Sequence, residues 1–202
     1  MNNIFKINSN FENYTKLFLL ENDKLNLISK NDEKFLFEKH IYDSLAIKLF
    51  FEKYKISPCQ ILDIGCGGGF PCVPIAIEYP DFQIIGIDSI QKKINSINLL
   101  RDKLQLDNLS TICDRVENLQ NQKFKLIVSR AVGNLSKICE YALPLLKEDG
   151  FFVAYKSKKA LEEIIEAQAT LKKYNAKVLE TINYNLPLEE VYERNLVIIS
   201  VE

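Results

Sequence analysis

A single histidine, His40, serves all 202 residues, and none of the five cysteines pairs in a C-x-x-C spacing. Structural zinc sites draw four ligands from Cys and His, so one imidazole and scattered thiols argue against a metal centre. Cys59, Cys66, Cys72, Cys113 and Cys139 are odd in number and lie mostly in apolar sequence, which points to a reduced, cytosolic setting. There is no apolar run of 18 residues and no signal-peptide pattern, so a soluble cytoplasmic protein with no membrane partner is expected. Charge of one sign is missing as well. With 26 basic and 27 acidic residues the net charge is −1, and any nucleic acid must be met by a local patch.

Glycine is absent from the two positions where a dinucleotide fingerprint needs it. The stretch Ile61-Leu62-Asp63-Ile64-Gly65-Cys66-Gly67-Gly68-Gly69-Phe70-Pro71 reads as a buried strand running into a glycine turn and then a helix opened by proline. G-x-G-x-x-G placed at Gly65 requires glycine at Phe70, and placed at Gly67 it requires glycine at Cys72. Glycines at 65, 67 and 69 still allow a sharp turn on which a ligand can lie, because no Cβ blocks the backbone. Such a turn suits a ligand without a pyrophosphate, such as S-adenosylmethionine, and therefore a methyltransferase.

The length suits one α/β domain with a small appendage. We divide it into an N-terminal helical extension, 1–57, and a methyltransferase domain, 58–202. Ser9-Asn10-Phe11-Glu12 has capping-box spacing ahead of a helix carrying Tyr14, Leu17 and Phe18, and a second, longer helix is expected from Asn31-Asp32 to Phe51. From Gln60 on, strands at 60–64, 83–87, 109–113, 125–130 and 150–155 alternate with helices near 71–79, 90–105, 134–147 and 158–174. That alternation predicts a doubly wound, mostly parallel sheet. Two β-rich runs at 176–184 and 195–201 follow without a helix between them, so the last strand should run antiparallel.

Ligands of such sheets bind beyond the carboxyl ends of the strands, and the polar candidates fall there. Asp88 ends Ile84-Ile85-Gly86-Ile87, where a carboxylate can accept both hydroxyls of a ribose or can cap the next helix. Asp114-Arg115-Val116-Glu117 follows the third strand, at the height of an adenine ring, or forms an ordinary loop with a solvated ion pair. Arg130, in Ser129-Arg130-Ala131, reaches the open end of the sheet, to hold a cofactor carboxylate or the substrate, or to make a salt bridge to a neighbouring helix. From 121 to 160, eight basic residues face three acidic ones, a surplus of +5 that suits phosphate contacts or a solvated helix face. A lone helical histidine such as His40 is more often packed than catalytic, and Cys66 and Cys72 read as packing residues.

Taken together these motifs resemble one family, the RsmG (GidB) methyltransferases. The likeness runs from about residue 25 to 202. It rests on Leu25-Asn26-Leu27, His40-Ile41-Tyr42-Asp43-Ser44, the glycine turn with Phe70-Pro71 and Pro74, Asp88-Ser89 with Lys92-Lys93, Arg115-Val116-Glu117, Ser129-Arg130-Ala131, Lys156, and Glu193-Arg194-Asn195-Leu196-Val197-Ile198. The resemblance implies a class I, Rossmann-like fold and transfer of a methyl group from S-adenosylmethionine to N7 of a guanine in 16S ribosomal RNA. It implies cofactor contacts from Gly65, Phe70, Val116, Glu117 and Arg130, with Asp88 at the ribose, and the open glycine turn itself adds Gly67. The substrate side falls to His40, Arg130, Lys156, Lys158 and Lys159. Partners would be small-subunit ribosomal RNA or a ribosomal particle, bound by a monomer, with no metal. This chain departs from the family in having Cys72 and Ser157 where glycine is usual. Guanine N7 carries a free lone pair and needs no general base, which agrees with a single histidine and no visible nucleophile pair. Methylation of another RNA, a small molecule or a protein is the alternative reading, and a non-catalytic RNA-binding module is a second.

Overall fold

A computed structural model describes residues 9–119 and 122–201. Seven strands form one sheet: β1 (Gln60–Ile64), β2 (Gln83–Asp88), β3 (Leu109–Cys113), β4 (Phe124–Arg130), β5 (Leu146–Ser157), β6 (Ala176–Asn185) and β7 (Glu193–Val201). Their order is β3-β2-β1-β4-β5-β7-β6, with β1 to β5 parallel and β7 antiparallel to both of its neighbours. The central strands read as continuous apolar runs because both faces of the sheet are covered. Alternate side chains serve opposite layers: Ile61 and Val128 join one core, Leu62 and Ile127 the other, all completely buried. Burial of an aliphatic side chain of this size contributes about 1.5–3 kcal/mol.

The layer on the Ile61 face contains α1 (Ser9–Leu25), α2 (Lys30–Glu33), a π-helical turn (Phe37–Tyr42), α3 (Asp43–Leu45), α4 (Ile47–Tyr54), α5 (Cys72–Glu78) and α6 (Gln91–Leu104). The opposite face is covered by α7 (Leu135–Ala142), α8 (Ala160–Glu166) and α9 (Gln168–Lys173). Tyr14 and Phe18 of α1 are fully buried against the ring of Phe70, so the N-terminal helices share the core of the sheet. The Ser9 side chain of the expected capping box lies outside the described residues.

Three local expectations need correction. The helix expected from Asn31 to Phe51 is a broken run: it stops at Lys34, resumes as a π turn and is interrupted again at Ala46. Tertiary contacts made by this segment, described below, override an unbroken i to i+4 ladder. The helix expected over 134–147 ends at Ala142, because Leu143–Leu145, with Pro144 inside it, forms a short 3-10 turn and β5 then takes residues from Leu146. The helix expected over 158–174 breaks at Ala167 into α8 and α9.

Candidate active site

Strand order reverses between β1 and β4, and a cavity of about 590 Å³ opens beyond their carboxyl ends. Its floor is the turn that follows β1. Gly65, Gly67 and Gly69 all adopt positive φ, 73°, 55° and 96°, which explains glycine at each. Their surroundings differ. A Cβ on Gly65 would lie 2.2 Å from the Val132 methyl, whereas one on Gly67 would meet only the Gly65 carbonyl, at 3.7 Å. Gly65 is therefore required for packing, and Gly67 for leaving the floor of the cavity open.

Asp88 closes this turn from the end of β2. One carboxylate oxygen accepts the Gly67 N–H at 3.0 Å and the other accepts the Ile90 N–H at 2.9 Å, while Lys93 approaches to 3.9 Å. The carboxylate thus bridges the glycine turn and the entry to α6. The helix-entry contact is present, and each oxygen keeps a lone pair that a ligand could use. Asp63, one strand over, is fully buried and accepts the Cys72 N–H at 3.1 Å with one oxygen. Its other oxygen has no partner in the structure. Burial pushes the carboxyl up to about 7.

The far wall of the cavity comes from Asp114, Arg115, Val116 and Glu117 after β3, with Tyr141 of α7 beside Val132. Val116 is buried, and Glu117 is exposed at the rim. The roof comes from Leu27, Ile28 and Ser29 of the connection between α1 and α2, Asp32 of α2 and His40 of the π turn.

Arg130 is carried to the cavity by β4 and is largely engaged by that roof. Its Nη1 donates to the Lys39 carbonyl at 3.2 Å and to the Asp43 carboxylate at 3.0 Å, its Nη2 lies 3.0 Å from Nδ1 of His40, and its guanidinium sits 5.0 Å over the Phe70 ring. Asp43 is 1% exposed and is shared with Arg194, whose Nε and Nη2 donate at 2.9 and 3.1 Å, and with the Tyr184 hydroxyl at 2.6 Å. Burial alone would raise the Asp43 carboxyl, but Arg194 and Arg130 outweigh it and hold the group below its ordinary value. Ser44 returns its hydroxyl to the His40 carbonyl at 2.6 Å, and Tyr155 of β5 donates to the Ser44 carbonyl at 2.7 Å. Burial, then the neighbouring Arg130 charge, lowers His40 to about 4, so the imidazole is neutral near pH 7.

Gly65, Gly67, Phe70, Asp88, Val116, Glu117, Arg130 and His40 therefore meet at one cavity. The lysines expected on the substrate side do not line it. Lys156 is buried, pairs with Glu163 of α8 at 2.7 Å and donates to the Gly133 carbonyl at 3.1 Å, which ties β5 to the layer opposite the roof. Lys158 and Lys159 are exposed beyond β5. Sequence reading missed Asp32 and Tyr141 as lining residues. The resemblance offered Leu27 as part of a motif, but nothing in the periodicity marked Tyr141. Among the described residues no cluster of His, Cys, Asp and Glu is arranged to hold a metal, and no helix is long and apolar enough to cross a membrane.

Solved structures with this fold include the ribosomal protein L11 methylase of Lactobacillus delbrueckii subsp. bulgaricus, at a TM-score of 0.60 and 13% identity over 80% of this chain and 79% of that one. Another is the magnesium protoporphyrin IX methyltransferase of Synechocystis PCC 6803 with bound SAH, at 0.59 and 13%, covering 79% and 81%. Closer in sequence is the ribosomal RNA small subunit methyltransferase G of Staphylococcus saprophyticus, 37% identical over 193 residues, 94% of this chain and 80% of that protein. The protein of the same description from Staphylococcus aureus strain JH9 is 38% identical over the same shares. The model of the GidB family, rRNA small subunit methyltransferase G, matches residues 7–196. With a glycine floor at the strand-order switch, a carboxylate closing it and these relatives, the chain belongs to the GidB family and is an S-adenosylmethionine-dependent rRNA methyltransferase.

Proposed function

We propose that this chain methylates N7 of a guanine in 16S ribosomal RNA, with the cofactor lying on the Gly65–Gly69 turn. The residues present fit that cofactor: the open floor at Gly67 is space that a Cβ would fill, and the spare lone pairs of Asp88 face the same turn. Asp88 would take the ribose hydroxyls, Val116 and Glu117 the adenine, and Phe70 with Arg130 the methionine end. The cofactor supplies an electrophilic methyl group on a sulfonium.

The observation that carries the choice of acceptor is the state of the ionisable groups around the cavity. His40 is the only histidine, and its Nδ1 lone pair faces an Arg130 N–H, so the ring has no free lone pair with which to take a proton. Asp32 is bound by Lys39 and Ser29, Asp88 by two backbone amides, and Asp114 by Asn118 and the Arg115 N–H. With the imidazole occupied, these carboxylates hydrogen-bonded, and the spare lone pairs of Asp88 and the Glu117 carboxylate taken up by the cofactor in this reading, the site suits an acceptor atom that attacks without first losing a proton, and guanine N7 is such an atom. The chain then contributes alignment, and a setting that tolerates the positive charge passing to the purine. The Asp43 carboxylate, shared with Arg194, offsets part of the Arg130 charge.

The substrate is RNA alone or within the small-subunit particle, and the basic stretch with Lys158 and Lys159 would meet its phosphates. Transfer of a labelled methyl group from cofactor into small-subunit RNA, followed by nucleoside analysis, tests this reading. The expected product is one 7-methylguanosine. A methyl group on a ribose hydroxyl or exocyclic amine, or no transfer, overturns it.

A further inference from the structure

Arg130 reaches His40 through a nitrogen that can only donate, because a guanidinium has no acceptor. Nδ1 of His40 is therefore the unprotonated nitrogen, and the proton of the neutral ring sits on Nε2. That Nε2–H is buried and has no hydrogen-bond partner in the structure. An unsatisfied buried donor is unfavourable unless an acceptor arrives; His40 lines the cavity against the Phe70 ring, with centroids 5.0 Å apart, and an acceptor there reaches Nε2 as the roof over the ring yields. Several groups set its state: Arg130 from β4, Asp32 from α2, and Lys39 and Asp43 from its own helical run. The two cations and burial keep the ring neutral.

We propose that His40 is the residue that selects guanine, its Nε2–H donating to O6 of the target base while N7 faces the methyl group; this rests on the guanine-N7 reading above. O6 is the acceptor beside N7 on the major-groove edge of guanine, where adenine carries an amino group. A fixed donor thus accepts guanine and sets donor against donor with adenine, leaving both unpaired. A neutral ring also suits this position better than an imidazolium. Positive charge grows on the purine as the methyl group arrives, and a cation there would oppose it. Arg130 acts through His40 as a positioning residue, since its N–H holds the ring in the tautomer that places the proton on Nε2.

Two measurements test the proposal. Because the chain has one histidine, nitrogen-15 NMR of the full-length protein reads its tautomer without ambiguity. The expected state at pH 7 is neutral with the proton on Nε2, and in Arg130→Met the ring should take its second proton at higher pH, because the cation that lowers it is gone. A ring protonated on Nδ1, or on both nitrogens, overturns the assignment whatever the substrate proves to be. The second measurement uses small-subunit RNA carrying guanosine, inosine or 2-aminopurine at the position that the nucleoside analysis maps. Inosine keeps O6 and 2-aminopurine lacks it, so wild-type kcat/KM should be similar for the first two bases and roughly tenfold to hundredfold lower for the third. His40→Phe, assayed at saturating cofactor, should bring guanosine down to the 2-aminopurine level. Equal wild-type rates on guanosine and 2-aminopurine, or a gap that survives His40→Phe, overturn the selection role while leaving the N7 reading intact. Absence of N7 transfer to guanosine overturns both. If His40→Phe does not fold, equal wild-type rates on guanosine and 2-aminopurine, or a wild-type ring protonated on Nδ1, still overturn the proposal.

Discussion

Arg130 and Asp43 lie 87 residues apart in the chain and meet in a 3.0 Å ion pair, 10% and 2% exposed at their side chains. The pair joins the end of β4 to the N-terminal roof, and Arg194 closes on the same carboxylate from β7. The cavity is therefore not formed by the sheet alone. Its roof is held by one buried carboxylate between two guanidinium groups, the kind of arrangement in which loss of one partner leaves uncompensated charge.

Asp43→Ala should accordingly destabilise the fold by about 3–5 kcal/mol, because both guanidinium groups would remain buried without their anion. Denaturant unfolding measures the change. A loss below about 1 kcal/mol, the level of an exposed pair, would show that the roof is held mainly by apolar contacts.

Asp88→Ala should have two separable effects. The Gly67 and Ile90 amides lose their acceptor, costing about 1–2 kcal/mol of stability. Affinity for S-adenosylmethionine should weaken by roughly 1–3 kcal/mol as the ribose loses its charged acceptor. Calorimetric titration set beside denaturant unfolding separates the two. Unchanged cofactor affinity with lowered stability would leave only the helix-entry role.

Stability against pH should be nearly flat between about pH 4 and 7, because two groups act in opposite directions there. His40 is lowered to about 4, so the unfolded chain binds its proton first, and this contribution is present above the ordinary value near 6.5 and lost as pH falls toward 4. Asp63 is raised to about 7, so the folded chain holds its proton longer, and its contribution is present below the ordinary value near 4 and lost as pH rises toward 7. Asp63→Asn should expose the first slope, with stability rising with pH, and His40→Phe the second, with stability falling. Unfolding free energies at half-unit pH steps would show it, and identical profiles for all three proteins would refute the opposition. Asp43, held below its ordinary value, adds a further loss only as pH falls below about 4.

Lys158→Glu combined with Lys159→Glu should weaken RNA binding and spare cofactor binding, since both side chains are exposed and outside the cavity lining. The slope of log affinity against log salt should fall by roughly one to two. Filter binding across a salt series reads it, and an unchanged slope would place the RNA elsewhere on the surface.

Much of this was legible because it is local or periodic. Apolar runs with turns between them marked the alternating strands and helices, and positive φ at Gly65, Gly67 and Gly69 is a backbone demand that glycine announces in one dimension. Asp88 and Arg130 were readable as residues that line the cavity because strand ends in a doubly wound sheet face the ligand crevice. Their partners were not readable. That Arg130 engages His40 and Asp43, that Lys156 is paired with Glu163 of α8, and that Tyr141 reaches the cavity all depend on side chains meeting across long stretches of chain. Such meetings have no period. The π turn at Phe37–Tyr42 makes the same point: its residues read as an ordinary helix, and the hydrogen bonds from Arg130 that accompany its widened geometry come from β4. Sequence alone determined the scaffold and the floor of the site, since backbone sterics and burial period act between near neighbours. Tertiary structure decided the roof and the protonation state of its histidine, since charge and hydrogen bonding act only between groups that folding has brought together.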